Sequence, residues 1–168
     1  PDYKQAKFGR EEASDAIAEA LRDSVKSHME GVTDQGRRYA LLLSGGLDSR
    51  ALLAAAGDPL ASVTTCLKQN NEARVAQEVA KCAGSPFTYI ARPQKAYDEH
   101  LNDAVWMSSG QQIFTESQFL NYRSLLAGQA DCYFIGLGLD IFFGGLYLPK
   151  EPVKWLGRAV LHNRLRPL

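Results

Sequence analysis

Cysteine is scarce in this chain. Cys66, Cys82 and Cys132 are the only three, odd in number and far apart, with no C-x-x-C pair among them. That spacing argues against a disulfide framework, a structural zinc site or a redox motif, and leaves buried thiols in apolar stretches as the expectation. Histidine is equally scarce: His28, His100 and His162 stand apart without ligand spacing and read as surface or helix-end residues of helical stretches. No apolar run approaches the eighteen or so residues that a membrane helix needs. The first ten residues are polar and lack the apolar centre of a signal peptide, so a soluble, cytoplasmic protein without a membrane partner is expected. Charge of one sign is missing too. Lys+Arg and Asp+Glu balance at 19 each, which gives no sign of a nucleic-acid partner. No Gly-Lys-Ser/Thr occurs, which removes the Walker A type of phosphate loop.

What is present suits one compact domain. The 168 residues are 45% apolar and 23% charged, ordinary values for a globular chain and too apolar for disorder. Residues Glu11 to Met29 place Ala13, Ile17, Ala20, Leu21 and Val25 at helical spacing, and Gly31 to Arg38 reads as a loop. Tyr39 to Leu43 is a short continuous apolar run, the pattern of a strand covered on both faces. A helix over Arg50 to Ala56 follows, closing at Gly57. The alternation continues with a strand at Ala61 to Leu67, a helix at Glu72 to Ala83 and a strand at Pro86 to Ala91. Helices at Tyr97 to Met107 and Ser117 to Ala127 precede a fourth strand at Asp131 to Ile135. Trp106, Phe114, Phe119 and Tyr122 recur near helical spacing and read as core. Strands alternating with helices predict an α/β fold, a parallel sheet with helices on both faces, whose ligands bind at the carboxyl ends of the strands.

Both glycine-rich segments fall at predicted strand ends. The first is Ser44-Gly45-Gly46-Leu47-Asp48-Ser49. Two glycines let the backbone turn sharply and approach a ligand closely, and the following helix offers N–H groups and a positive dipole end to a phosphate. Ser44 and Ser49 add hydroxyl donors. Asp48 beside a phosphate is repulsive unless a cation bridges them, and Mg²⁺ is the natural bridge. A bare Gly-Gly turn would be explained by geometry alone; the full hexad after an apolar run is far more specific. The second segment is Gly136-Leu137-Gly138-Leu139-Asp140-Ile141-Phe142-Phe143-Gly144-Gly145.

The first hexad resembles the pyrophosphate loop, S-G-G-x-D-S, of N-type ATP pyrophosphatases. The second segment resembles the asparagine synthetase pattern S-G-E-G-x-D-E-x-F-G-G-Y, and residues 72–80 resemble that family's helix after the second strand. The likeness is collinear from about Glu11 to Tyr147. It implies a Rossmann-like adenine nucleotide alpha hydrolase (PP-loop) fold with ATP and Mg²⁺ as cofactors. It further implies that Leu42 and Thr65 hold adenine through their backbones and that Ser44, Gly45, Gly46, Asp48 and Ser49 cradle the pyrophosphate. Gly136 would approach the nucleotide, and Asp140 would join Asp48 on the metal. The activity implied is an AMP-forming amide ligase acting on a small-molecule carboxylate. Related members close β-lactam or peptide rings.

Two departures qualify the likeness. The family's glutamates in the second segment are Leu137 and Ile141 here, and an apolar side chain neither ligates Mg²⁺ nor orients an amine. The likeness also spans only the first half of the family's synthetase domain and omits its glutaminase domain. A chain that starts at Pro1 is expected to be a fragment or a processed chain, with a partner chain or a further C-terminal region supplying the rest. Residues Lys154 to Arg166 read as a truncated basic helix, and Lys150 and Lys154 as a solvated helix face. Arg50 reads equally as a phosphate contact or a salt-bridge partner. Two other readings stand beside the ligase: a nucleotide-binding subunit that has lost catalysis, and a tRNA-modifying adenylating enzyme. The last predicts a basic surface and a reactive cysteine, neither evident in the sequence.

Overall fold

The computed structural model describes residues 9–93, 95, 99–111, 119–120, 122–139, 150–155 and 158–163, the last two segments as backbone only. The chain forms two compact units, Pro1–Ile135 and Gly136–Leu168.

The first unit opens with helix α1, Arg10–Thr33, which leads to strand β1, Tyr39–Leu42. Helix α2 (Leu47–Ala56), strand β2 (Ser62–Cys66), helix α3 (Asn71–Cys82) and strand β3 (Phe87–Ala91) alternate after it. Helices α4 (Leu101–Ser108) and α5 (Arg123–Gln129) then precede strand β4, Cys132–Phe134. The four strands form one sheet in the order β3-β2-β1-β4, with every pairing parallel. The chain steps outward from β1 through β2 to β3, then returns to lay β4 on the other side of β1. The connection therefore reverses at the carboxyl end of β1, the place where open parallel sheets leave a crevice for ligands. The α/β architecture expected from the strand–helix alternation is present.

Period-two alternation divides the sheet's side chains between two faces. Val63 and Ile90 pack with Tyr122 and Leu126, while Leu42, Phe119 and Tyr133 complete that cluster. Leu41 and Leu43 are buried at 0% and 2% exposure, and α1, α2 and α3 all contact the strands of the sheet. Each such leucine contributes roughly 1.5–3 kcal/mol by leaving water. In α3 the small residues Ala73, Ala76 and Ala80 are buried, as their spacing predicts, and let the helix lie close on the sheet. Buried hydroxyls are satisfied locally: Thr64 Oγ1 donates to the Leu43 carbonyl at 2.6 Å and Ser62 Oγ to the Leu60 carbonyl at 3.0 Å.

Two helix boundaries differ from the sequence expectation. Helix α1 runs through Gly31 to Thr33, whose hydroxyl bonds back to the Met29 carbonyl at 2.9 Å, so the expected loop is shorter. Helix α2 begins at Leu47, directly at the glycine-rich loop, three residues earlier than its apolar spacing suggests. Trp106 is a correction: it stands 86% exposed on α4 rather than in the core, whereas Tyr122 is 1% exposed. Phe114 lies outside the described residues. Of the three thiols only Cys66 is buried; Cys82 is exposed and Cys132 half-buried. No helix among the described residues is long and apolar enough to cross a membrane.

The second unit contains an antiparallel pair, β5 (Lys150–Trp155) and β6 (Arg158–Asn163). Where the described residues cover it, the helix expected over Lys154 to Arg166 is strand, in the end of Lys150–Trp155 and in Arg158–Asn163, which moves Lys150, Lys154 and His162 from helix to strand. Val153 pairs with Val160, and only Leu156 and Gly157 separate the paired residues. A two-residue connection ending in glycine between β-branched pairs is a hairpin signal, and here it outweighs the helical spacing of the apolar residues.

Candidate functional site

The site is built on the end of β1. The Leu43 N–H still donates to the Val63 carbonyl, at 2.9 Å, so the strand is held in the sheet up to the residue before the glycine-rich loop. Ser44, Gly45 and Gly46 then turn the chain into α2, with Gly46 in the extended N-cap position and no side chain capping the helix. That leaves the N-terminal N–H groups and the positive dipole end of α2 without a side-chain acceptor. Asp48 is the acidic residue of the first turn and is half-buried.

The loop is held from within. The Ser44 N–H donates to Ser49 Oγ at 3.0 Å, and the Gly46 N–H donates to Ser44 Oγ at 3.1 Å. The two hydroxyls lie 2.9 Å apart, and Ser49 Oγ also donates to the Ser44 carbonyl at 3.1 Å. Arg50, for which phosphate and salt-bridge roles were equally open, turns back: its Nε donates to the Gly46 carbonyl at 3.1 Å. Gly45 lies against the first turn of α3, and a Cβ placed there would meet the Cα and carbonyl oxygen of Glu72 at 3.3 Å. Glycine at this position eases the approach of two protein segments, a reason the motif alone does not reveal.

Beside the loop, at the carboxyl ends of β1 and β2, lies a cavity of about 480 Å³, within the range of small-molecule sites. Leu42, Ser44 and Thr65, all named from the sequence, line it. Tyr122 reaches across from the neighbouring core cluster, its hydroxyl donating to Thr65 Oγ1 at 3.1 Å. Gly46, Asp48 and Ser49 follow Ser44 along the loop and into α2. Gly136 follows β4 by two residues and belongs to the second unit, and Asp140 lies outside the described residues. Among the described residues no group of three or more His, Cys, Asp or Glu side chains gathers as a metal site.

The cavity also exposes residues that motif reading did not single out for it: Cys66, Lys68, Glu72, Arg92 and Phe119. A signal existed for three of them. Cys66 ends β2, Lys68 follows it by two residues, and Arg92 directly follows β3, all at the carboxyl edge where such sheets bind ligands. Burial pushes the Cys66 thiol up from its ordinary pKa, the Glu72 carboxylate adds to that, and Arg92 opposes it. The residue therefore stays a protonated thiol at neutral pH and is poorly suited to act as a nucleophile. Its Sγ lies 3.6 Å from Asn70 Oδ1, which also accepts the Ala73 N–H at 2.9 Å and so caps α3.

A parallel sheet reversing at β1, a serine- and glycine-rich loop opening a helix there, and a cavity beside both define an α/β domain of the Rossmann-like PP-loop class. The chain belongs to the asparagine synthase family, whose family model matches residues 16–166. No curated protein matches it. The family is one of ATP-dependent amide ligases.

Proposed function

We propose that this chain binds ATP with Mg²⁺ and acts as an AMP-forming amide ligase on a small-molecule carboxylate. The observation that carries the reading is the position of residues 44–49: at the carboxyl end of β1, opening α2, beside the cavity lined by Leu42 and Thr65. The residues fit the group. The cavity has the volume for a nucleoside, the loop adjoins it through Ser44, and the first turn of α2 offers backbone donors with no competing side-chain cap.

Leu42 and Thr65 would bound the adenine at the two strand ends, and the loop would hold the phosphates. A carboxylate oxygen of the acceptor attacks the α-phosphorus, the α–β bond breaks, and pyrophosphate leaves with the bonding pair. An amine then attacks the acyl carbon, loses its proton and expels AMP, leaving an amide. Backbone donors fixed before the reaction stabilise the charge that grows on the departing pyrophosphate, and cost no reorganisation at that moment. Asp48 and, by family likeness, Asp140 would hold Mg²⁺, which neutralises phosphate charge when bound. Either a further segment or a partner chain would complete the acceptor side of the site.

A second reading has its own observation. Leu137, where the family has a glutamate, is 86% exposed. A chain that binds ATP without forming amides is what loss of that carboxylate and of the one at Ile141 would leave.

Thermal unfolding with ATP, with and without Mg²⁺, tests binding. At a hundredfold excess over the dissociation constant the nucleotide is expected to add about 2.7 kcal/mol of stability. Asp48→Asn is expected to remove the Mg²⁺-dependent part. The reading is overturned if wild type gains nothing from ATP in either condition. Exchange of labelled pyrophosphate into ATP, screened over carboxylates, then separates a ligase from a binding subunit.

A further inference from the structure

The Ser-Gly-Gly-x-Asp-Ser loop offers two hydroxyls for phosphate binding, and the structure divides them. Ser49 is 3% exposed. Its oxygen accepts the Ser44 N–H at 3.0 Å, and within reach of its single proton lie the Ser44 carbonyl at 3.1 Å, Ser44 Oγ at 2.9 Å and the Gly46 carbonyl at 3.5 Å. A serine hydroxyl has one donor and two acceptor sites. Whichever of these three oxygens takes the proton, it stays inside the loop. When it goes to the Ser44 carbonyl, Ser44 donates to Ser49 and accepts the Gly46 N–H, at 3.1 Å, so that all the contacts but the long one to the Gly46 carbonyl are made at once.

We infer that Ser49 is a positioning residue, which locks Ser44 and the loop backbone in the anion-binding shape and does not itself contact the nucleotide. This rests on the nucleotide reading above and deepens it. The phosphate-facing work then falls to backbone N–H groups, with Ser49 setting their direction from behind. Such a lock explains why a buried serine stands on the first turn of α2 rather than an apolar residue: its four contacts hold the loop and leave the N–H groups of that turn free of any side-chain cap. It also means that the two serines form one unit, so that removing either disturbs the same geometry.

The test is a double-mutant cycle with Ser49→Ala, Ser44→Ala and the pair, read by the affinity for inorganic pyrophosphate with Mg²⁺ well below each melting temperature. Ser49→Ala is expected to weaken binding roughly tenfold, the effect of one lost hydrogen bond at the upper end of the usual range, and the double variant to bind no more weakly than the weaker single. Multiplying effects would mean that each serine ligates separately, and would overturn the inference. Unchanged affinity in Ser49→Ala would overturn it as well. Amide hydrogen exchange in the ligand-free protein supplies an independent arm: the Ser44 N–H is expected to be protected in wild type and to lose that protection in Ser49→Ala. If wild type binds no pyrophosphate or ATP, the nucleotide reading fails, while this arm still decides whether the lock exists. A Ser44 N–H unprotected in wild type would sink the lock. Should Ser49→Ala fail to fold, Ser49→Cys fills similar space with a weaker hydrogen-bonding group, and the same pattern is expected from it.

Discussion

Gly45 shows how one residue answers to two demands. In the proposed function it would bring backbone close to the nucleotide, and as a neighbour of α3 it lets Glu72 come within close reach of the space a side chain would occupy. A Cβ there would stand 3.3 Å from the Cα, Cγ and carbonyl oxygen of Glu72, so that mostly backbone has to give by a few tenths of an ångström. Gly45→Ala is expected to cost about 1–3 kcal/mol through overpacking and to reduce the ATP-induced stabilisation with it. Denaturant melts with and without nucleotide check both; unchanged stability would show that the loop and α3 are free to separate. At Gly46 the same Cβ would meet Ser44 Oγ at 3.2 Å, so that position is tied to the serine lock rather than to α3.

At the scale of elements, β4 is fastened to β1 by residues just ahead of both. The Arg38 N–H donates to Asp131 Oδ2 at 2.8 Å and its Nε lies 3.4 Å from the same oxygen. The Arg38 guanidinium also bonds the carbonyls of Gly128 and Ala127, at 3.0 and 3.1 Å, satisfying the end of α5. The backbone hydrogen bond from Arg38, then its side chain, hold the Asp131 carboxyl below its ordinary pKa. A carboxylate depressed in the folded state stabilises the fold above its unfolded pKa, near 3.9, and that contribution is lost as pH falls through the lower folded value. Asp131→Asn is therefore expected to lower stability at neutral pH, with a shallower loss of stability below about pH 4 than wild type. Melting temperatures between pH 2 and 7 test this, and parallel curves for the two proteins would argue against it. The group is fully exposed, so solvent screening keeps the effect small.

For the molecule as a whole, the question is whether binding and amide formation coexist in this chain. The family's acidic residues are replaced at Leu137 and Ile141, while Asp48 and Asp140 remain in the sequence. If the lost carboxylates limit chemistry, Leu137→Glu with Ile141→Glu should raise AMP formation from ATP and an accepted carboxylate by at least about tenfold, since general acid–base groups usually contribute more than that. A chain that already forms amides at family-like rates would gain nothing, and the wild-type turnover decides which case holds. Substitution at 137 places a charge on an exposed position, so folding is expected to tolerate it.

Much of this was legible in the sequence because it depends on short-range pattern. The apolar run before Ser44, the alanine face of α3 and the glycines after α2 and α3 were enough to order the elements, since periodicity and breakers act within a few residues. The hexad at 44–49 identified the loop, and the second segment pointed to the family. What the sequence left undecided depends on approach through space. Only the fold seats Cys66, Lys68, Glu72, Arg92 and Phe119 around one cavity with Leu42 and Thr65, because parallel strands align residues more than twenty positions apart. Only the packing separates the two serines, which look alike in the motif: Ser49 is buried behind the loop at 3% exposure and Ser44 is half-buried at the cavity wall. And only strand pairing turned Lys150–Trp155 and Arg158–Asn163 into a hairpin, since backbone hydrogen bonding across a short connection outweighs the helical spacing of its apolar residues.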